Sequence, residues 1–170
     1  MTSLEKLEKL KPCPEGLDYA KQFASLEKAW NGCVKSGWMW WYLRRTRKIS
    51  RSLPASYSKA CIEHMNIALA SYDKSDPIYH KYVNNSINHA INANNRVCSY
   101  VSYAIINAER VAYHARDSVA AAASCVAFNN ANDATTHANA CAIYNTEFNK
   151  ASKQQADILR SLTSNPFKTL

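Results

Sequence analysis

Two pairs of side chains have the types and spacing of soft-metal or thiol chemistry, Cys61-x-x-His64 and His137-x-x-x-Cys141. Each pair puts a sulfur and an imidazole on one face of a helix. Together they supply the four donors of a Cys2His2 zinc site if the two helices are neighbours. With six cysteines and five histidines in the chain, such spacings also arise by chance, and zinc fingers usually carry the cysteine pair on a turn rather than in mid-helix. Nothing near either pair marks an activated thiolate: there is no helix N-terminus and no orienting carboxylate. Beyond residue 27, no two carboxylates of one predicted helix stand three or four apart. The sequence also has no Walker loop, no His-Glu-x-x-His and no Gly-x-Ser-x-Gly. The expectation is a non-enzymatic chain without metal or cofactor.

Charge and aromatic residues are less evenly spread. The segment from Lys35 to Lys59 carries seven cations and no carboxylate, against a net charge of +8 for the whole chain. All four tryptophans, Trp30, Trp38, Trp40 and Trp41, lie within or just before it. On a helix Trp38, Trp41 and Tyr42 share one face and are expected in the core, whereas Trp40 points elsewhere with Arg44 and Arg47. The candidate binding residues are therefore Lys35, Trp40, Arg44, Arg45, Arg47, Lys48 and Arg51. Trp40 serves as the apolar anchor, and the cations complement a negative surface. A protein partner with an acidic surface fits this composition. The alternative is nucleic acid on the same patch, with a base stacked on Trp40 beside phosphate-binding arginines.

Helices must position these residues. Of 170 residues, 47% are apolar, and the three glycines, Gly16, Gly32 and Gly37, leave the rest of the chain with none. That disfavours sandwiches, barrels and doubly wound sheets, which need tight turns. The fold expected is all-α, a compact bundle of about six to seven helices without a sheet, in a single domain over 1–170. Residues 1–52 hold short helices and 53–170 hold longer ones around an alanine-rich core. Thr2-x-x-Glu5 has capping-box spacing and opens a helix to Leu10. The prolines and glycine of 11–16 make a turn, a helix covers Leu17–Trp30, and Asn31-Gly32 offers a left-handed stop. Trp38–Leu43 forms a third helix ending in Arg44–Lys48, and Pro54 starts a fourth that runs to Tyr72.

From Pro77 the apolar periodicity runs on to Val126. As one straight helix, 77–127 would span about 75 Å, against about 40 Å for a compact domain of this length. A break is expected near Asn92–Asn95 or Asn107–Arg110. A last helix covers Ala134–Leu162, with Asp157 and Arg160 as a surface i,i+3 pair. Alanine between 104 and 142 lets helix axes approach closely, and a homo-oligomer built on that seam is a further alternative. No apolar stretch approaches the roughly 18 residues of a membrane span, and the N-terminus has no apolar signal region. A cytoplasmic location is expected.

Several strings occur in a recognisable order: Cys13-Pro-Glu-Gly-Leu17, Leu26-Glu-Lys-Ala-Trp30-Asn-Gly-Cys33, Trp38-Met-Trp-Trp41, the alanine-rich middle, and Gln155-Ala-Asp-Ile-Leu-Arg160 followed by Asn165-Pro-Phe167. The arrangement resembles a family of small helical immunity proteins from bacteria and their phages. Ser36-Gly37 stands where that family carries Gly-Asp, and Trp40 stands where it carries leucine. The resemblance implies a protein-binding antagonist of a toxin or defence factor, working in the host cytoplasm if phage-borne, and no catalytic residues. Because this chain is basic, its target surface is expected to be acidic.

Overall fold

Ser25 divides what the periodicity predicts as one helix. Its backbone is extended (φ −154°) and its hydroxyl accepts a hydrogen bond from the Lys28 N–H at 3.2 Å, which is N-cap geometry. In this computed structural model the described residues are 2–72, 74, 80, 83–97, 101–129 and 135–168, with side chains described except at 101, 125–129 and 135–139. They form eight α-helices and no strand: α1 (Ser3–Lys9), α2 (Pro14–Lys21), α3 (Leu26–Gly32), α4 (Ser36–Arg45), α5 (Leu53–Leu69), α6 (Asn84–Asn95), α7 (Val101–Asn129) and α8 (Thr135–Leu162). The chain is all-α as its sequence indicates, with more helices than the expected six to seven because of the Ser25 cap.

Local chemistry accounts for the ends. Thr2 and Glu5 form the predicted capping box, the Glu5 N–H donating to Thr2 Oγ1 and the Thr2 N–H to Glu5 Oε2. Helix α2 begins earlier than expected, at Pro14, because a proline in the first turn loses only an N–H that has no helical partner. Gly32 does not provide a left-handed stop. No glycine has positive φ, and α3 ends as Cys33 turns extended. The long periodic stretch breaks after Asn95, the first of the two expected places. There the buried Asn107 side chain donates to the Arg96 carbonyl at 2.9 Å and so caps the end of α6. Asn107–Arg110, the other expected break, lies inside the continuous α7.

Helix α7 is the centre of the molecule, packed by α5, α6 and α8. Its small residues Ala104, Ala108, Ala112 and Ala115 are all buried, which lets neighbouring helices approach closely. Helix α4 buries Ser36, Met39, Trp40 and Leu43, the i, i+3, i+4, i+7 spacing of a single face. That face joins Tyr57 and Cys61 of α5, Val111 of α7 and Leu159 of α8 in the main core.

The expected division of the tryptophans is therefore reversed. Trp40 is 0% exposed, its ring 5.1 Å from that of Tyr57 in a T-shaped contact, and it cannot anchor a partner. Trp38, Trp41 and Tyr42 are only half-buried: Trp38 and Tyr42 pack against the edge of the main core, and Trp41 and Tyr42 against the smaller Leu7–Ala20–Leu26 cluster of α1–α3. Helix α4 is sandwiched, so both of its aromatic faces are covered to different depths. Among the described residues no helix is long and apolar enough to cross a membrane.

Candidate basic-aromatic binding face

The acid-free stretch is exposed but not gathered. Lys35 is the N-cap of α4, with its Nζ 4.4 Å over the Trp38 ring. Arg44 and Arg45 lie at the other end of the same ten-residue helix, about 15 Å away along its axis. Lys48 is tied to the C-terminal segment through a hydrogen bond from Nζ to the Pro166 carbonyl at 2.8 Å. Arg51 is exposed just ahead of α5. None of these cations forms an ion pair among the described residues.

Arg47 stands apart because of its backbone. Helix α4 ends with the Lys48 N–H bonded to the Leu43 carbonyl at 3.0 Å and the Arg47 N–H bonded to the Arg44 carbonyl at 3.3 Å. This is a Schellman stop. Its left-handed residue is Arg47 (φ 54°), in a place where glycine is the unstrained choice.

Arg44 meets partners that the sequence analysis did not single out. It lines an open cleft of about 580 Å³ between α4 and α7 together with Trp41, Glu109, Arg110, Tyr113 and Arg116. Arg116 packs its guanidinium against Phe148 at 4.7 Å and Tyr113 at 5.4 Å, and Nη1 reaches Ser152 Oγ at 3.4 Å. Its Nε is buried with no hydrogen-bond partner among the described residues. Desolvation lowers the Arg116 pKa from its ordinary value, and neighbouring tyrosines partly offset this. Burial pushes the Glu109 carboxyl up, against the opposing pull of Arg44.

Beside the cleft, α7 presents an outward stripe of Tyr103 (67% exposed), Ile106 (38%), Arg110 and Tyr113 (52%), spaced three, four and three apart. The exposed aromatic side chains near Arg44 and Arg110 are thus those of α7 and Trp41 rather than Trp40. The helical spacing of the stripe was visible in the sequence. Its proximity to Arg44 was not, because the two lie on different helices.

Among the described residues, Cys61, His64 and Cys141 do not come together. Cys61 is in the main core, and burial pushes its thiol up to about 12, which opposes the thiolate a metal needs. His64 is half-buried beside it, whereas Cys141 is on the exposed side of α8. The His137 side chain lies outside the described residues. Among those residues no group of three or more metal-binding side chains comes together. No protein-family model matches this chain, and no curated protein and no solved structure matches it.

Proposed function

We propose that this chain is a non-enzymatic protein-binding antagonist that grips the acidic surface of a partner. The face used is the end of α4, residues 44–51 and the outward stripe of α7. The observation that carries this is the exposed Tyr103–Ile106–Arg110–Tyr113 stripe beside Arg44, whose charges form no ion pair among the described residues. Tyrosine and arginine are the residue types that most often dominate interface energies, and clustered exposed apolar side chains mark contact surfaces. The resemblance to immunity proteins supports a toxin or defence factor as the partner. Arg44→Glu combined with Arg47→Glu should abolish capture of the partner from host lysate, and its binding by direct titration, with far-UV circular dichroism unchanged. Undiminished binding by this variant removes the proposal. A gel shift that appears at low salt and falls steeply as salt rises would replace the protein partner by nucleic acid.

Arg47 offers a second, independent check. A left-handed conformation costs a non-glycine residue about 1–2 kcal/mol, and such strain persists where a side chain is retained for use. Arg47→Gly should therefore raise the stability by about 1 kcal/mol in urea denaturation while weakening partner binding. A gain in stability with no loss of binding would take Arg47 out of the interface.

A further inference from the structure

We infer that the cleft between α4 and α7 is a binding site for a phosphate monoester carried on a flat ring. This deepens the acidic-partner reading and rests on it, since Arg44, Arg110 and Tyr113 serve both. Three guanidinium groups, Arg44, Arg110 and Arg116, face one carboxylate, Glu109, in the same cleft, an excess of two positive charges. Like charges that share a partly desolvated site are unfavourable until a counter-charge arrives. A monocarboxylate balances half of the excess. A phosphate monoester carries about −1.5 to −2 at neutral pH and offers three strong acceptor oxygens, which guanidinium forks match in pairs.

Arg116 is half-buried, so its charge is less screened by water than those of the exposed Arg44 and Arg110. The ring requirement comes from the walls. Trp41 and Tyr113 border the cleft, and its volume of about 580 Å³ lies within the range of small-molecule sites, about 300–1,000 Å³. A flat ring stacks on such aromatic faces.

Isothermal titration of the whole chain with phenyl phosphate, benzoate and phenol tests this. Phenyl phosphate should bind at least tenfold more tightly than benzoate, and phenol should give no saturable heat. Arg110→Gln, at an exposed position, should weaken phenyl phosphate at least tenfold with an unchanged thermal midpoint. Arg116→Gln should do the same if it folds, and Lys9→Gln, exposed on α1 and outside the cleft, should leave the affinity unchanged. A short phosphotyrosine peptide that binds more tightly than phenyl phosphate places the ester on a protein, and equal affinity places it on a free metabolite. Equal binding of benzoate and phenyl phosphate, or equal losses in Arg110→Gln and Lys9→Gln, overturns the inference. Partner capture that survives such a result leaves the acidic-partner proposal standing, and loss of that proposal alone leaves phenyl phosphate binding intact.

Discussion

Replacing Arg160 by methionine is expected to destabilise the protein by about 3 kcal/mol in urea denaturation, much more than loss of a surface ion pair would. The guanidinium joins the C-terminal helix to the end of α3 across some 130 residues of sequence. Nη1 donates to the Cys33 carbonyl at 2.7 Å and to the Trp30 carbonyl at 3.1 Å, while Nη2 holds Asp157 at 2.6 Å. The Arg160 side chain is only 18% exposed, so removing it leaves the Cys33 carbonyl without that donor and the Trp30 carbonyl with only the Cys33 N–H at 3.2 Å, in a place water reaches poorly. Those carbonyls carry the negative end of the α3 dipole, which a cation stabilises. Lysine is not an adequate replacement, because a single ammonium lacks the planar fork that reaches both carbonyls and the carboxylate. Asp157→Asn provides the internal comparison. Its side chain is 56% exposed, so the loss should stay below about 1 kcal/mol. If the two substitutions cost the same, Arg160 is only the surface partner that its i,i+3 spacing suggests.

Why that role was hidden, and others were not, follows from the range of each interaction. The all-α class, the capping box at Thr2, the helix starting near Pro54 and the break near Asn95 depend on residues within a few positions of each other. Side-chain types and periodicity expose such features directly. The second hydrogen-bonding duty of Arg160 and the pairing of Arg44 with Arg110 and Arg116 depend on which helices become neighbours, and no local pattern records that. Trp40 is an intermediate case. Its helix is aromatic on both faces, so a helical wheel does not say which face is deeper. One signal was nonetheless present: the spacing of Ser36, Met39, Trp40 and Leu43, which marks a core face. The surplus of cations nearby outweighed it because charge density indicates that a segment reaches solvent without saying which of its side chains do.

Trp40→Ala is the substitution that separates the two roles of that ring, and the expected cost is about 3–5 kcal/mol, as for other large aromatic residues removed from a core. The ring is fully buried in one core cluster with Met39, Leu43, Leu53, Tyr57, Val111 and Leu159, and the α7 residues of that cluster are mostly small, Ala108 and Ala112 among them. The alanines of that helix cannot fill the cavity, and closing it would require α4 to move relative to α5 and α7. Relaxation should therefore be partial, and the loss should fall near the top of the range. A surface anchor would behave in the opposite way, with stability within about 0.5 kcal/mol of the original and binding lost. Trp41→Ala completes the comparison. Its half-buried ring borders the cleft, so a smaller stability loss should accompany weaker phenyl phosphate binding. Urea denaturation and titration of the two variants side by side decide the matter. If Trp40→Ala is stable and Trp41→Ala binds phenyl phosphate normally, the aromatic contribution to the binding face has been placed on the wrong side of α4.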